Sequence, residues 1–200
     1  VGLYDYARID VSGDAGGGLI LVGGDYQGLG LIQTAVDNYV GPNVSIFADA
    51  VTGGDGGRTI FWADRRTEFF GTIKARGGRL FGDGGFAEVS GKEELYFVGS
   101  VDTTAPNGKS GTLLLDPDYI TVSGGSGTAS ASGASSFTTY EDILESVAST
   151  TNIEMIAPNS ITFKNSLSFA QKAGLVTYKN LTLPTNHPRH TPAVAALQNK

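Results

Sequence analysis

Three aspartates sit in matching glycine-rich contexts: Asp14 ahead of Gly16-Gly17, Asp55 ahead of Gly56-Gly57, and Asp83 ahead of Gly84-Gly85. A carboxylate beside bare backbone carbonyls is a donor set for a hard cation such as calcium. The calcium-binding β-roll, however, needs G-G-x-G-x-D-x-U-x at a nine-residue period. Here the aspartates precede their last glycines and lie 41 (55 − 14) and 28 (83 − 55) residues apart. Asp14, Gly16, Gly17, Asp55, Gly56, Gly57, Asp83, Gly84 and Gly85 are therefore read as structural turns, and no metal site is assigned. A phosphate loop needs a helix after its glycines, but RTIFW and FAEVS follow, and both are strand-like. Gly108-Lys109-Ser110 has Asp102, Thr103 and Thr104 where the first Walker glycine belongs.

Acid–base chemistry on a polysaccharide would need two carboxylates held across one bond. Asp49, Asp64, Glu68, Glu88, Glu93, Glu94 and Asp102 are the candidates, and nothing in their spacing selects a pair. His187 and His190 lie in a proline-containing tail, a poor scaffold for a rigid base. No catalytic residue is assigned. Arg58, Arg65, Arg66, Lys74, Arg76 and Arg79 form one local charge reversal in a chain of net charge −6. Arg58, Arg65, Arg66 and Arg76 are the candidate contacts for an acidic glycan or other anion. The favoured alternative pairs them with Asp64, Glu68 and Glu88 on adjacent strands. Trp62, with Phe61 and Phe69-Phe70 nearby, reads as core stacking rather than a sugar platform.

The elements that must carry these residues are short β-rich runs: Ile46-Phe47, Thr59–Trp62, Phe69-Phe70, Thr72-Ile73, Phe86–Val89, Leu95–Val98 and Thr112–Leu115. Several alternate apolar with polar residues, as Ile73 and Ala75 against Lys74 and Arg76. A weaker copy precedes them, with strands at Ala7–Ser12 and Leu19–Val22. Leu29–Tyr39 fits a loop, a short strand or a helical turn. Runs separated by glycine turns at about 20 to 30 residues indicate a solenoid, with the 41-residue gap taken as two rungs. The absence of a helical stripe between 44 and 117 favours a β-helix.

The expected organisation is an all-β, right-handed parallel β-helix over residues 1–123, then a Gly/Ser/Ala-rich loop or linker at 124–137. Residues 138–170 should hold a short helical insertion near residues 139–148, capped by Thr138 or Thr139, plus further strands. Residues 171–200 should form an irregular, proline-containing tail. Of 200 residues 29 are glycine, without the every-third-residue period of collagen. With no cysteine, thiol catalysis and disulfides are excluded. The acidic balance argues against nucleic acid as partner, no apolar run is long enough for a membrane helix, and no cofactor is expected. A chain starting at Val1 without a basic-then-apolar leader reads as a piece of a longer or processed protein.

The order IDVSGDAGGG–ILVGGDYQG, FADAVTGGDGGRTIFWAD, GTIKARGG, then GDGGFAEVSGKEELYFVGSVDTTAPNGKSGTLLLDP resembles the large exoproteins of bacterial two-partner secretion, the filamentous-haemagglutinin-like adhesins. The resemblance covers about residues 7–123 and, more loosely, 138–168. It implies a segment of the β-helical shaft, placed outside the cell or on the surface of a Gram-negative bacterium. It also implies export through a dedicated outer-membrane transporter, and adhesion to host-cell or surface glycans without catalysis. The secretion domain of that family is missing here, and the glycine-rich strand pattern is lost from Gly174 onward. A polysaccharide-active β-helix lyase or hydrolase is the alternative.

Overall fold

The computed structural model describes residues 1–127, 136–148, 150–164, 176–181 and 195–197. It is all-β with parallel pairing throughout, apart from one antiparallel pair near the C-terminal end. In chain order come β1 (Gly2–Leu3), β2 (Arg8–Asp10), β3 (Leu19–Val22), a 3-10 turn (Tyr26–Gly28), β4 (Ala35–Val40), β5 (Ser45–Phe47) and β6 (Arg58–Phe69). Then follow β7 (Thr72–Lys74), β8 (Phe86–Gly91), β9 (Glu94–Phe97), β10 (Ser100–Asp102), β11 (Thr112–Leu115) and β12 (Tyr119–Ser123). Last are β13 (Ser136–Tyr140), α1 (Glu141–Ala148), β14 (Asn152–Lys164), β15 (Val176–Leu181) and β16 (Ala195–Leu197). The low-complexity stretch lies mostly outside the described residues.

Two sheets face one core. The smaller is β2-β5-β7-β10, in which Ile9, Ile46, Ile73 and Val101 pair as one column. The larger stacks Ile20, Thr59, Ala87, Leu113 and Ile153 in another column, and Val40, Phe69 and Phe97 in a third. Placing like residues in register buries apolar area without changing the backbone from one layer to the next. Ile46, Ile73, Ala87, Leu113, Phe69 and the remaining members of these inner columns are almost fully buried, while Ile9, in the first layer, is only partly so.

β6 joins what the sequence presents as separate runs. Its first half pairs with β3 and β8, its second half with β4 and β9. Between them the register slips: Ala35 faces Ala63 but Asp37 faces Arg66, one extra residue on β6. Such a bulge bends a strand without breaking its ladder.

The 41-residue gap is corrected by the pairing. Leu19 pairs directly with Arg58, so Asp14 and Asp55 belong to adjacent layers, not layers two apart. The extra length is an insertion at 23–34, between β3 and β4, that folds onto the outer face of the larger sheet. A second long excursion, from β11 to β14 (Thr112 paired with Asn152), holds β12, β13 and α1. The helix starts at Glu141; Thr138 and Thr139, expected as caps, are the third and fourth residues of the five-residue β13. Leu144 and Val147 are buried, and Ile143 packs against the same core.

Candidate functional site

The aspartate–glycine turns line up as one corner of the stack. The Gly17 N–H donates to the Asp55 carbonyl (3.0 Å), Gly56 to Asp83 (2.9 Å) and Gly84 to Lys109 (2.8 Å). Gly57 and Gly85 reach across to the Ala48 and Ala75 carbonyls, both at 2.7 Å, tying the two sheets together. The Asp14 carbonyl accepts from Thr52 (3.1 Å) and Gly53 (3.0 Å), and Gly16 has φ +153°. The Asp55 carboxylate accepts the Asp83 N–H (2.7 Å), and the Asp83 carboxylate accepts the Lys109 N–H (2.8 Å). The Asp55 and Asp83 carboxylates thus each satisfy a backbone donor of the next layer, a charge-assisted bond that explains aspartate at these two positions, whereas Asp14 accepts through its backbone carbonyl. Among the described residues no cluster of three or more metal-ligating side chains occurs. Outside this corner lies an open groove of about 660 Å³, floored by the glycines and flanked by Arg58, Phe86, Asp83 and Lys109.

The four candidate arginines are not brought together. Arg58 begins β6, Arg65 and Arg66 sit at its bend, and Arg76 follows β7 in the other sheet. Arg65 pairs with Asp37, and Arg66 with Glu68 (3.1 Å) and Glu94 (3.9 Å). These pairs are more than a quarter exposed on each side, so each contributes little to stability. The Arg58 guanidinium lies over the Tyr26 ring (4.8 Å) and the Phe86 ring (4.5 Å), a cation–π contact with each of two edge-to-face rings. Asp64 accepts instead from Thr34 and from the Trp62 indole N–H.

Asp49 has the densest pairing. It accepts from the Arg76 backbone N–H (2.8 Å), Nε (3.2 Å) and Nη2 (2.7 Å), which raises the Arg76 pKa further. Asn in place of Asp49 keeps one acceptor and loses the charge. With Arg76 43% exposed, the expected loss is about 1 kcal/mol, read as a lower urea midpoint at unchanged slope.

Sequence spacing did not single out the most unusual acid. Glu88 stands in the outer column Leu21–Ile60–Glu88–Leu114, fully buried, with Ile60 and Leu114 as its strand neighbours. The insertion covers it: the Gln27 N–H donates to both Glu88 oxygens (3.1 and 3.2 Å), and the Gln27 Nε2 donates to Asp116 Oδ2 (2.8 Å). One residue therefore bridges acids from two successive layers. It does so at φ +53°, a left-handed conformation that a glutamine adopts only when surroundings impose it. The available signal was that Glu88 shares a face with Phe86 and Ser90, between the buried Ala87 and Val89. What it could not reveal is the insertion that closes over that face.

Burial pushes the Glu88 carboxyl from its ordinary 4.5 up to about 7, and the charge of Asp116 adds to this; the Gln27 N–H and Arg58 oppose it. The native state then keeps a proton that the unfolded chain releases near 4.5, so it binds more protons between those two values. Stability therefore falls as pH rises through this window. Changing Glu88 to Gln removes the dependence and is expected to raise stability at pH 8 by up to about 3 kcal/mol, with little change at pH 4. Denaturant titrations at the two pH values check this.

No helix of the described residues is long and apolar enough to cross a membrane. No protein-family model matches the chain, and no curated protein matches it.

Proposed function

We propose that this chain is a stretch of right-handed parallel β-helix from a large secreted or surface-exposed bacterial adhesin of the two-partner secretion type, structural and binding in role, without catalysis. The observation that carries this reading is the in-register parallel stacking of both sheets, with glycine corners in the same place in successive layers. Such a stack extends by adding layers, which suits a long shaft. Its partners on this reading are an outer-membrane transporter during export and, after export, host-cell or surface glycans. Arg65 and Arg66, paired but more than 40% exposed, are the side chains best placed to exchange their carboxylates for an acidic glycan.

Labelled protein applied to an acidic-glycan array and to cultured epithelial cells tests the binding role. Saturable binding reduced at least tenfold by joint Arg65→Ala and Arg66→Ala changes is the expected result. Absence of binding by the unaltered chain would leave a passive shaft and defeat the adhesive reading. Export is tested by protease accessibility of the native protein in cells with and without the cognate transporter.

A polysaccharide-active enzyme is the second reading, favoured by one observation: the proximity of Glu88 and Asp116 with a carboxyl poised near neutrality. Against it, Glu88 is sealed beneath Gln27. Chain-shortening of any acidic polysaccharide incubated with the protein, abolished by Glu88→Gln, would establish it over the adhesin.

A further inference from the structure

The insertion at 23–34 is held to the sheet by few contacts of its own. At its base the Ala35 N–H donates to the Gly23 carbonyl (2.8 Å), and the Asn38 amide donates to the Val22 and Trp62 carbonyls (3.2 and 2.6 Å). Beyond the base, Gly23, Gly28 and Gly30 have φ of +74°, +66° and +107°, so the segment turns at positions open to glycine. Its tip carries Leu29 and Leu31, 66% and 105% exposed, which add no packing against the sheet. Four contacts hold it down: the Gln27 bridge to Glu88 and Asp116, the close approach of its glycines to Trp62, the Tyr26 ring against Arg58 and Phe86, and the Thr34 hydroxyl on Asp64. A Cβ on Gly28 would lie 2.5 Å from the indole, so the backbone rests directly on the ring.

We propose that residues 23–34 form a pH-sensitive lid, closed over Glu88, Asp116 and Trp62 while Glu88 holds its proton and opening when both carboxylates are ionised. Closed, the lid buries Glu88 beside Asp116 from the turn after β11, with Arg58 of β6 and the Gln27 N–H as the facing positive groups. Of the other acids nearby, Asp25 accepts from the Tyr26 N–H, Asp64 accepts from Thr34 and Trp62, and Glu154 continues the column of Glu88 on the far side of Leu114. Two negative charges in that dry interface repel each other and lack water. Opening hydrates both, and the backbone strain at Gln27 is relieved in the same step. The protonated acid has no such penalty, and its carbonyl oxygen still accepts from Gln27. Acidification therefore closes the lid and alkalinity opens it. The proposal is independent of the adhesin reading, since it needs no ligand.

Trp62 is the chain's single tryptophan and lies under the lid, so it reports the motion without a label. Acrylamide quenching of its fluorescence, and exchange of the amides of Tyr26–Leu29 corrected for intrinsic rates, should be measured on the whole chain from pH 5 to 8. Lid opening is expected to rise by up to about 70-fold across that range, while amides of β8 and β11 stay protected. In Glu88→Gln the lid should remain closed at every pH. In Asp116→Asn, which removes only the neighbouring charge, the midpoint should move to lower pH; this arm decides the matter if Glu88→Gln fails to fold. Identical quenching and exchange at pH 5 and pH 8 in the unaltered chain overturns the proposal. So does an unshifted midpoint in Asp116→Asn, or an unchanged pH response in Glu88→Gln.

Discussion

Alanine at Gly84 is expected to destabilise the fold by at least about 3 kcal/mol, seen as a fall of roughly 10 °C in Tm for a chain of this length. A Cβ built there would lie 1.8 Å from the Thr103 carbonyl oxygen and 2.4 Å from the Gly111 nitrogen, both backbone atoms. No side chain can rotate away to relieve that overlap, so two layers must separate. The Gly84 N–H bond to the Lys109 carbonyl (2.8 Å) and the Gly111 bond to Thr103 (2.9 Å) would be lost with them. Gly41 supplies the control, because a Cβ there meets its nearest neighbour at 3.5 Å, an ordinary contact. Gly41→Ala should change stability by no more than about 0.5 kcal/mol. Thermal unfolding followed by far-ultraviolet circular dichroism separates the two. Equal effects would mean that the corner tolerates spreading, and that its glycines are not there for close approach.

Truncating Phe69 to alanine should cost about 4 kcal/mol. Its ring is fully buried, edge-on to Phe61 at 5.2 Å and stacked on Phe97 at 5.9 Å, in the column that begins with Val40. The cavity would open where three layers meet, and the stiff parallel ladders on either side leave little room to collapse into it. Phe70, next in the chain, faces outward between Tyr39 and Tyr96 and is only partly buried. Phe70→Ala should cost less than half as much. Urea unfolding of the two variants at a common pH tests the contrast, and a larger loss for Phe70 would reverse the assignment of faces.

That pair shows where local reading runs out. Phe69-Phe70 marks a strand, but two adjacent phenylalanines on a period of two cannot both be inside, and nothing local decides between them. Register with Val40 and Phe97 decides it. The arginines behave likewise. Their pairing with acids on neighbouring strands was predictable as a class. The partners are Asp37, Glu68, Glu94 and Asp49; only Glu68 was among those expected, and it pairs with Arg66 within β6 rather than across to a neighbouring strand. For Asp37 the choice depends on the bulge in β6, which sets Asp37 opposite Arg66 and so beside Arg65, and that is a property of the ladder.

The aspartate–glycine turns were legible because their requirement is local: a sharp corner needs backbone without Cβ, and an acid beside it can accept an N–H. Sequence alone was therefore enough for the strand type and the turn positions, including the strands that follow Gly57 and Gly85. It misjudged the layer count between Asp14 and Asp55, because a gap of 41 residues (55 − 14) fits one layer carrying an insertion as well as it fits two short layers. Only the tertiary structure placed residues 23–34 on the outer face, turned Glu88 from one acid among several into a buried one, and set Gln27 between it and Asp116. The physical reason is that desolvation and bridging depend on what lies across from a residue. For Glu88 that partner is 61 positions away in the chain.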